Sequence, residues 1–410
     1  MARITKLILS LVLTLPFIFF FRNVDAQSAG YEFLPAPDAW YNDVDGIRVG
    51  LRLKGQVPGT FNDGPHRLDA GFWLGTWFPD LPVSYYVSFT EPIPAWSDFG
   101  SEASVQLRSS IRTGYHNHGV ALNKRWQQGF DERRYRELRF YQSYQKRFDD
   151  EYTPFPFLWS DHDKFLSTLT LRLQDDNPLG WFQVETSGSF QYLNDTYSVL
   201  SLTALQNIPI NENWGFRIRS FTGLATDHAD PEYRFPVSSK PAVNWLENGI
   251  TRAKGTIPQP WMNSGHLQVS GGANLRGYTK HEISGFASLD GDDIDVPLAK
   301  SITAVNTEFD YWNPIGVLFQ KIPYVSDFLT FNSYLFFDAG TELGSESTAS
   351  DGWLADAGTG FSLSLNIPDN LGKPRGFVIR FDIPFWLSDP GMEDEFKFRH
   401  IFGIGGVISL

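Results

Sequence analysis

The stretch IRVGLRLK, residues 47–54, decides the fold class. Its odd-numbered positions are apolar and its even-numbered positions are glycine or basic, so the apolar residues recur with a period of two. A period of two places each set of side chains on one face of a β-strand, whereas a helix would distribute them around its surface. The stretch therefore predicts a strand with one apolar and one charged face.

The same alternation recurs along the chain, for example at residues 83–90, 168–173 and 214–219. Clusters of glycine, proline, asparagine and aspartate separate these stretches and predict turns or loops. The pattern predicts an all-β chain with sixteen strands, and we expect them at residues 45–54, 66–77, 82–90, 101–112, 116–126, 135–148, 164–174, 180–193, 196–206, 214–224, 264–274, 301–312, 328–341, 353–366, 376–387 and 397–410.

The composition of the 410 residues narrows the class of protein. The chain has no cysteine, which excludes a disulfide scaffold and a thiolate metal site. Its 42% hydrophobic residues can bury a large surface, and its 20% charged residues are too few for a disordered polar chain.

The first 26 residues predict a signal peptide. Arg3 and Lys6 precede an apolar stretch at residues 7–21, and residues 24–26 offer small side chains where a signal peptidase cleaves. The alternative is an uncleaved membrane anchor, but about 15 apolar residues are fewer than a bilayer needs. Removing three basic residues and one acidic residue leaves 31 basic and 46 acidic residues, a net charge of −15. This charge argues against nucleic acid as a partner.

No later apolar stretch is long enough to span a membrane as a helix. Strands can cross lipid only in a closed barrel, and aromatic residues near the predicted strand ends are typical of its interfacial girdles. The alternative is a soluble β-sandwich or propeller. Charged residues in mid-strand and strands of about 9–12 residues favour the barrel. One feature disagrees: with 45–54 as the first strand, residues 225–263 become a long connection on the periplasmic side.

Two short motifs give the sharpest signal. The first motif is Leu275-Arg276-Gly277-Tyr278, shortly after a glycine pair. The second lies about sixty residues later and consists of Phe336, Asp338 and Gly340, at every second position. The chain here resembles the outer-membrane-protein-85 superfamily, the bacterial surface antigen barrels. That family carries an aliphatic-Arg-Gly-aromatic motif on the sixth extracellular loop and F-x-D-x-G on the thirteenth strand.

The resemblance implies a 16-stranded antiparallel transmembrane β-barrel in the outer membrane of a Gram-negative-type envelope, with an extracellular loop folded inward. In this arrangement the Arg276 fork would pair with Asp338. It also implies protein or lipid translocation or insertion, with a seam between the first strand, 45–54, and the last, 397–410. Residues 27–44 would form a short periplasmic segment and 45–410 the barrel. That segment is too short for one of the family's periplasmic polypeptide-transport-associated domains.

The chain end resembles the C-terminal strand signal through which the barrel-assembly machinery recognises its substrates. Gly405, Ile408 and Leu410 match its glycine and apolar positions. Gly403 stands where a polar residue is usual, and the last residue is leucine rather than phenylalanine. The expected partners are therefore that machinery, the outer-membrane lipids and lipopolysaccharide, and an unknown client or periplasmic partner. A homodimer is a further possibility that the resemblance leaves open.

We expect no catalytic, cofactor-binding or metal-binding residues. His281-Glu282 begins a zinc-protease motif, but Gly285 occupies the position of its second histidine. His116 and His118 are predicted to lie in a solvated turn, and the acidic residues 290–295 in a solvated loop that could alternatively bind a divalent cation. The alternative functions are a passive pore, a surface scaffold for a partner protein, and a hydrolase that uses a serine and a histidine in the lumen.

Overall fold

The computed structural model describes residues 31–57, 66–127, 131, 133–193, 195–211, 213–246, 251–287, 298–322, 328–343, 352–368 and 374–406. The signal peptide predicted at residues 1–26 and the acidic residues 290–295 lie outside these ranges, as do Ile408 and Leu410 of the expected C-terminal signal.

A 17-stranded sheet dominates the fold, which confirms the all-β prediction. Eleven strands come first along the chain: β1 (Glu32–Asn42), β2 (Gly46–Gln56), β3 (Arg67–Gly75), β4 (Val83–Pro92), β5 (Ser101–Arg112), β6 (Tyr115–Gln127), β7 (Tyr135–Arg147), β8 (Lys164–Asn177), β9 (Gly180–Gln191), β10 (Tyr197–Asn211) and β11 (Trp214–Ala225). Five more follow residue 300: β15 (Ser301–Tyr311), β16 (Leu329–Glu342), β17 (Leu354–Pro368), β18 (Pro374–Leu387) and β19 (Ile401–Gly406).

Each of these strands pairs antiparallel with the next one along the chain. The ladder runs from β1 to β11, continues from β11 directly to β15, and ends at β19. Among the described residues, no hydrogen-bonded pairing joins β1 to β19. The sheet is therefore an antiparallel meander, in which each strand pairs with the strands before and after it along the ladder.

The two faces of the sheet differ in character, as the alternation predicts. On β2, Ile47 is 54% exposed and Leu51 is 47% exposed, whereas Arg48 on the opposite face is 4% exposed. The same contrast appears on β16, where Leu335 and Phe337 are exposed and Asp338 is completely buried. We call these the apolar face and the polar face. The apolar face is the one turned to the surroundings.

The long connection (residues 226–300) covers part of the polar face. It contains β12 (Phe235–Pro236) paired with β14 (Leu298–Ala299), the helices α1 (Gln259–Asn263) and α2 (Thr279–Ala287), and β13 (Leu267–Val269). A third helix, α3 (Pro314–Gln320), follows β15. In the described ranges no helix has the length and apolar character that crossing a membrane requires.

Contacts at widely separated strands fix the long connection. Near its middle, the Lys254 carbonyl accepts from the Asp43 amide at 2.9 Å, just after β1. Its Leu275 and Tyr278 pack in an apolar cluster with residues of β15 and β18, including Ile302 and Leu387. A separate cluster joins its Trp245 to the loop between β7 and β8. The sheet therefore curves enough for one connection to contact both halves.

One strand was missed, and one predicted strand is wrong. The chain enters the sheet at β1 (Glu32–Asn42), inside the segment 27–44 that we expected to precede it, so 45–54 corresponds to the second strand. The span 264–274 contains only the three-residue strand β13. Its ladder is short because Gly265 and Gly271 adopt positive φ values of 66° and 145°, which end the extended backbone. The other fifteen spans each coincide with an observed strand.

The added first strand removes the disagreement over the long connection. Because the strands alternate in direction, β11 runs parallel to β1 and the long connection leaves the end of the sheet opposite to the start of β1. The sequence interpretation, which counts one strand fewer before residue 225, places residues 225–263 at the same end as the chain's entry. The structure reverses that assignment.

Candidate functional site

The turn Arg276–Tyr278 brings the guanidinium of Arg276 into the centre of the polar face. Arg276 is 2% exposed, and its Nε and Nη2 donate to the two carboxylate oxygens of Asp338 on β16, at 2.6 and 3.0 Å. This two-bond geometry matches the guanidinium fork to a carboxylate. It is the contact that the two sequence motifs predict.

Two further carboxylates surround the same guanidinium. Nη1 of Arg276 donates to Glu308 on β15 at 2.9 Å and lies 3.5 Å from Asp382 on β18. The guanidinium also lies over the Phe336 ring, with its carbon 4.1 Å from the ring centre. Three strands, β15, β16 and β18, thus present carboxylates to one cation.

The electrostatic consequence is a strongly held positive charge. Burial lowers the pKa of Arg276, but the negative charges of Asp338, Asp382 and Glu308 outweigh burial and raise it well above its usual value. An arginine in such a setting does not lose its proton, so the contact acts as a permanent anchor.

The two residues after Arg276 pack tightly against the polar face of β17 and β18. A side chain at Gly277 would overlap Leu387 and Asp356, so the backbone approaches β17 and β18 more closely than any other residue allows. The Tyr278 hydroxyl donates to the Ala355 carbonyl at 3.2 Å. Among the described residues, neither carboxylate oxygen of the fully buried Asp356 has a hydrogen-bond partner.

A second buried anchor lies at the other end of the long connection. The ammonium group of Lys164, at the start of β8, lies 2.7 Å from the Glu232 carboxylate, and both side chains are almost completely buried. The Ser160 hydroxyl also donates to Glu232, at 3.1 Å. Ion pairs at β8 and at β16 therefore attach the two ends of the connection to separate parts of the polar face.

One edge of the last strand, β19, pairs with a short parallel strand from the long connection. Strand β13 pairs parallel with β19, with Gln268 opposite Gly403, while the other edge of β19 pairs with β18. The Gln268 amide donates to the Ser238 carbonyl at 2.6 Å and accepts from Arg380 at 2.7 Å. A segment of the long connection thus occupies part of the edge that ends the antiparallel sheet.

Glu282 on α2 links this region to the rest of the connection. One of its carboxylate oxygens accepts from the backbone nitrogen and the hydroxyl of Ser238, both at 2.5 Å. Among the described residues its other oxygen has no partner. Burial raises the pKa of Glu282 to about 7, although the Ser238 hydrogen bonds act in the opposite direction.

We expect the docking of α2 to weaken as pH rises. The pKa of Glu282 in the folded chain is above the reference value of 4.5, so its protonated form stabilises the fold fully below pH 4.5 and this contribution is lost as pH rises through about 7. The loss is about 3 kcal/mol for such a difference in pKa. Hydrogen exchange of the α2 amides, corrected for intrinsic rates, should show the loss between pH 5 and pH 8, and Glu282→Gln should abolish it. An unchanged pH dependence in that variant, with the exposed Glu151→Gln as control, would disprove the role of Glu282.

The histidine candidates do not form a metal site with the other described residues. His281 and Glu282 lie on α2, and no group of three or more His, Asp or Glu side chains in the described ranges is arranged to hold a metal. His116 and His118 lie within β6 rather than in a turn, because the turn is formed by the preceding Thr113 and Gly114 with positive φ. That prediction of a turn is wrong.

One serine–histidine contact bears on the hydrolase alternative. The Ser109 hydroxyl lies 2.9 Å from Nδ1 of His118, and the Tyr85 hydroxyl lies 3.0 Å from Ser109. His118 has the same strand parity as the exposed Val120 and Leu122, so the contact belongs to the apolar face and not to a lumen. Within the described part of the chain no carboxylate contacts His118, so the third member of a catalytic triad has no candidate there.

Sequence reasoning missed Glu308 and Asp382 as partners of Arg276. Both follow the alternation of their strands: Glu308 lies two residues from Asn306 and Asp310, and Asp382 two residues from Arg380. These positions predict side chains on the polar face, but the alternation does not show which positions on neighbouring strands lie side by side. Only the register of β15 to β18 brings them to one guanidinium.

Comparisons with known proteins give structural likeness only. No family model and no curated protein matches the chain. A crystal structure of BamA from Haemophilus ducreyi lacking POTRA domains 1–3 has 12% identity and a TM-score of 0.47, covering 91% of this chain and 69% of that one. CdiB from Acinetobacter baumannii has 12% identity and a TM-score of 0.39, covering 92% and 59%. OccK11 (OpdR) from Pseudomonas aeruginosa has 10% identity and a TM-score of 0.29, covering 91% and 92%.

Proposed function

We propose that this chain is a sixteen-stranded outer-membrane β-barrel of the outer-membrane-protein-85 type, which inserts or translocates a macromolecular client, protein or lipid. The observation that carries the proposal is the Arg276 fork on Asp338, which holds the long connection against the polar face. In this interpretation that face lines the lumen and the connection is the inward-folded extracellular loop. We propose no catalytic role for any residue.

The apolar face supports a membrane location. Exposed large apolar side chains at alternate positions of β2, β8, β10, β11 and β16 are between 36% and 56% exposed. A contiguous apolar surface of this extent is unfavourable in water, at roughly 25 cal/mol per Å², and favourable against acyl chains. The same alternation would leave the charged set inside, as a barrel with a polar interior requires.

The direction of the strands supports a single-chain barrel. Strands β1 to β11 and β15 to β19 make sixteen, so β1 starts and β19 ends at the same end of the sheet. Bacterial single-chain barrels have an even number of strands, with both chain ends on the periplasmic side and the longer loops outside. The long connection then leaves on the extracellular side, between the eleventh and twelfth strands.

The edge of β19 supports a route for a client strand. A strand edge presents unpaired amide and carbonyl groups, which an extended segment of another chain can pair. Here β13 pairs with β19 over three residues, whereas β17 and β18 pair over thirteen. Because the β13 ladder is short, it is the weaker of these contacts, and its release would offer the edge of β19 to the client.

A disulfide between β13 and β19 tests this route. The natural chain has no cysteine, so Gln268→Cys with Gly403→Cys gives one defined pair at facing register positions. The assay is the insertion of a urea-denatured eight-stranded barrel into phosphatidylcholine vesicles that contain the protein, read as heat-modifiable migration on gels. We expect oxidation to reduce insertion at least tenfold and a reductant to restore it.

The single Gln268→Cys variant is the control and should insert equally well under both conditions. Full activity of the oxidised pair would disprove the release of β13. If neither wild type nor variant accelerates insertion, the inserting activity itself is wrong for this client class.

A passive pore or a surface scaffold is the second candidate. The anchored connection provides a test that distinguishes an obstructed barrel from an open pore. Planar-bilayer recordings should show low conductance for the wild type and large, steady currents after deletion of residues 275–300, if the connection obstructs a lumen. Large currents from the wild type would favour the pore. Outer-membrane lipids, lipopolysaccharide and the barrel-assembly machinery remain the proposed surroundings and partners.

A further inference from the structure

A cavity of about 100 Å³ lies on the polar face, away from the Arg276 site. Its wall comes from β4 to β7, near the turn that joins β5 to β6, and Val243, Leu246 and Arg252 of the long connection cover it. Three arginines line it, Arg108, Arg112 and Arg252, and its lining contains no aspartate or glutamate. A space of this size holds several water molecules, and hence a tetrahedral oxyanion.

The arginines of the cavity lack carboxylate partners. Arg112 donates through Nε to the Ser110 hydroxyl at 2.9 Å, and Arg252 donates through Nε to the Leu246 carbonyl at 3.2 Å. In the described ranges no ion pair joins either of them, or Arg108, to an acidic side chain. Elsewhere on this face some arginines are paired with carboxylates, as Arg276 is with Asp338 and Arg217 with Asp310. The cavity is thus a local excess of positive charge.

Neighbouring positive charge makes the excess larger. Arg48 and Arg52 on β2 act on Arg112 and Arg252, and Arg48 is 4% exposed with two of its nitrogens lacking a partner in the described residues. Burial, followed by the charges of Arg112, Arg48 and Arg52, lowers the pKa of Arg252 well below its usual value, although the negative charge of Asp38 acts in the opposite direction. Buried cations of like sign are costly unless an anion lies among them.

A buried hydroxyl also points to a ligand. Thr113, in the β5–β6 turn, lines the cavity, is 5% exposed, and has no hydrogen-bond partner for its hydroxyl among the described residues. Buried polar groups are nearly always hydrogen-bonded, so an unpartnered one at a cavity wall marks a position where a bound group completes the set.

We propose that this cavity binds a phosphate-type oxyanion, either free or as the phosphate group of a larger molecule. Guanidinium forks match tetrahedral oxyanions with two hydrogen bonds each, and the hydroxyls of Ser110 and Thr113 can donate to the remaining oxygens. The proposal is independent of the client-inserting function, because it rests on the half of the polar face that Arg276 does not contact.

Calorimetric titration of the full-length protein in detergent tests the site. Sodium phosphate is titrated against sodium chloride at equal ionic strength, and glycerol 3-phosphate forms a second arm. We expect saturable binding of phosphate beyond chloride and at least a tenfold loss of affinity in Arg112→Gln and in Arg252→Gln. Equal affinities for the two ligands indicate a site for the free ion, and tighter binding of glycerol 3-phosphate indicates a site for a phosphorylated molecule.

The controls separate the site from general charge effects. Arg134→Gln, in an exposed ion pair beyond the opposite end of β6, should leave binding unchanged. Arg112→Lys keeps the charge but loses the fork, so a folded protein with weakened binding is expected even if a glutamine variant fails to fold. Absence of binding beyond chloride in both arms, or equal affinity in the wild type and the cavity variants, would overturn the proposal.

Discussion

Replacing Arg276 with alanine is expected to lower the free energy of unfolding by about 3–5 kcal/mol, because it leaves buried carboxylates without their cation. Asp338, Glu308 and Asp382 all lie within 3.5 Å of that guanidinium. The long connection should become sensitive to added protease while the sheet stays resistant, since the anchor holds the connection rather than the ladders. Urea unfolding in detergent micelles and the rate of proteolysis measure the two effects.

The double variant shows whether the two side chains share one contact. Asp338→Ala alone should cost less than Arg276→Ala, because the arginine keeps Glu308 and Asp382. If the contact is shared, the loss in the double variant is well below the sum of the two single losses. Additive losses would contradict the pairing. Arg134→Ala serves as the matched control: its ion pairs are about half exposed, and its loss should stay below about 1 kcal/mol.

Replacing Lys164 with methionine is expected to have a similarly large effect, about 3–5 kcal/mol. The change leaves the Glu232 carboxylate buried with Ser160 as its only hydrogen-bond donor among the described residues. Adding Glu232→Gln removes the stranded charge, so the double variant should regain most of the lost stability. The measurement is again urea unfolding in micelles.

Lys146→Met on the neighbouring β7 is the matched control. Lys146 pairs with Asp163 at 3.2 Å, but both side chains are more than one third exposed, so the expected loss is below about 1 kcal/mol. Equal losses at Lys164 and Lys146 would show that burial does not decide the strength of these pairs.

The strands could be predicted because the sheet separates two environments. Each strand between an apolar and a polar side must alternate, and turn residues mark its ends, so the spans at 101–112 and 214–224 lie within a residue of the observed strands. Strand β1 was missed because Pro35 and Pro37 lie within it, and proline is tolerated in strands only where its missing N–H is not needed for a ladder. Local pattern cannot show which edge a proline faces.

The site was only partly predictable for a different reason. Arg276 and Asp338 could be named because both belong to recognisable motifs, whereas Glu308, Asp382 and the arginines of the cavity carry no local signal of their neighbours. Their placement depends on strand register and on how the long connection lies, which are long-range properties. The pairs Lys164–Glu232 and Glu282–Ser238 were unpredictable for the same reason.

The ladder between β13 and β19 also bears on how the chain completes its own folding. Strand β13 precedes β19 by more than a hundred residues, so this ladder joins two distant parts of the chain. An edge that is paired within its own molecule does not offer its amide row to a neighbouring copy, and this limits self-aggregation. The cost is kinetic: so distant a pairing closes a large loop, and the final stage of folding should be slow.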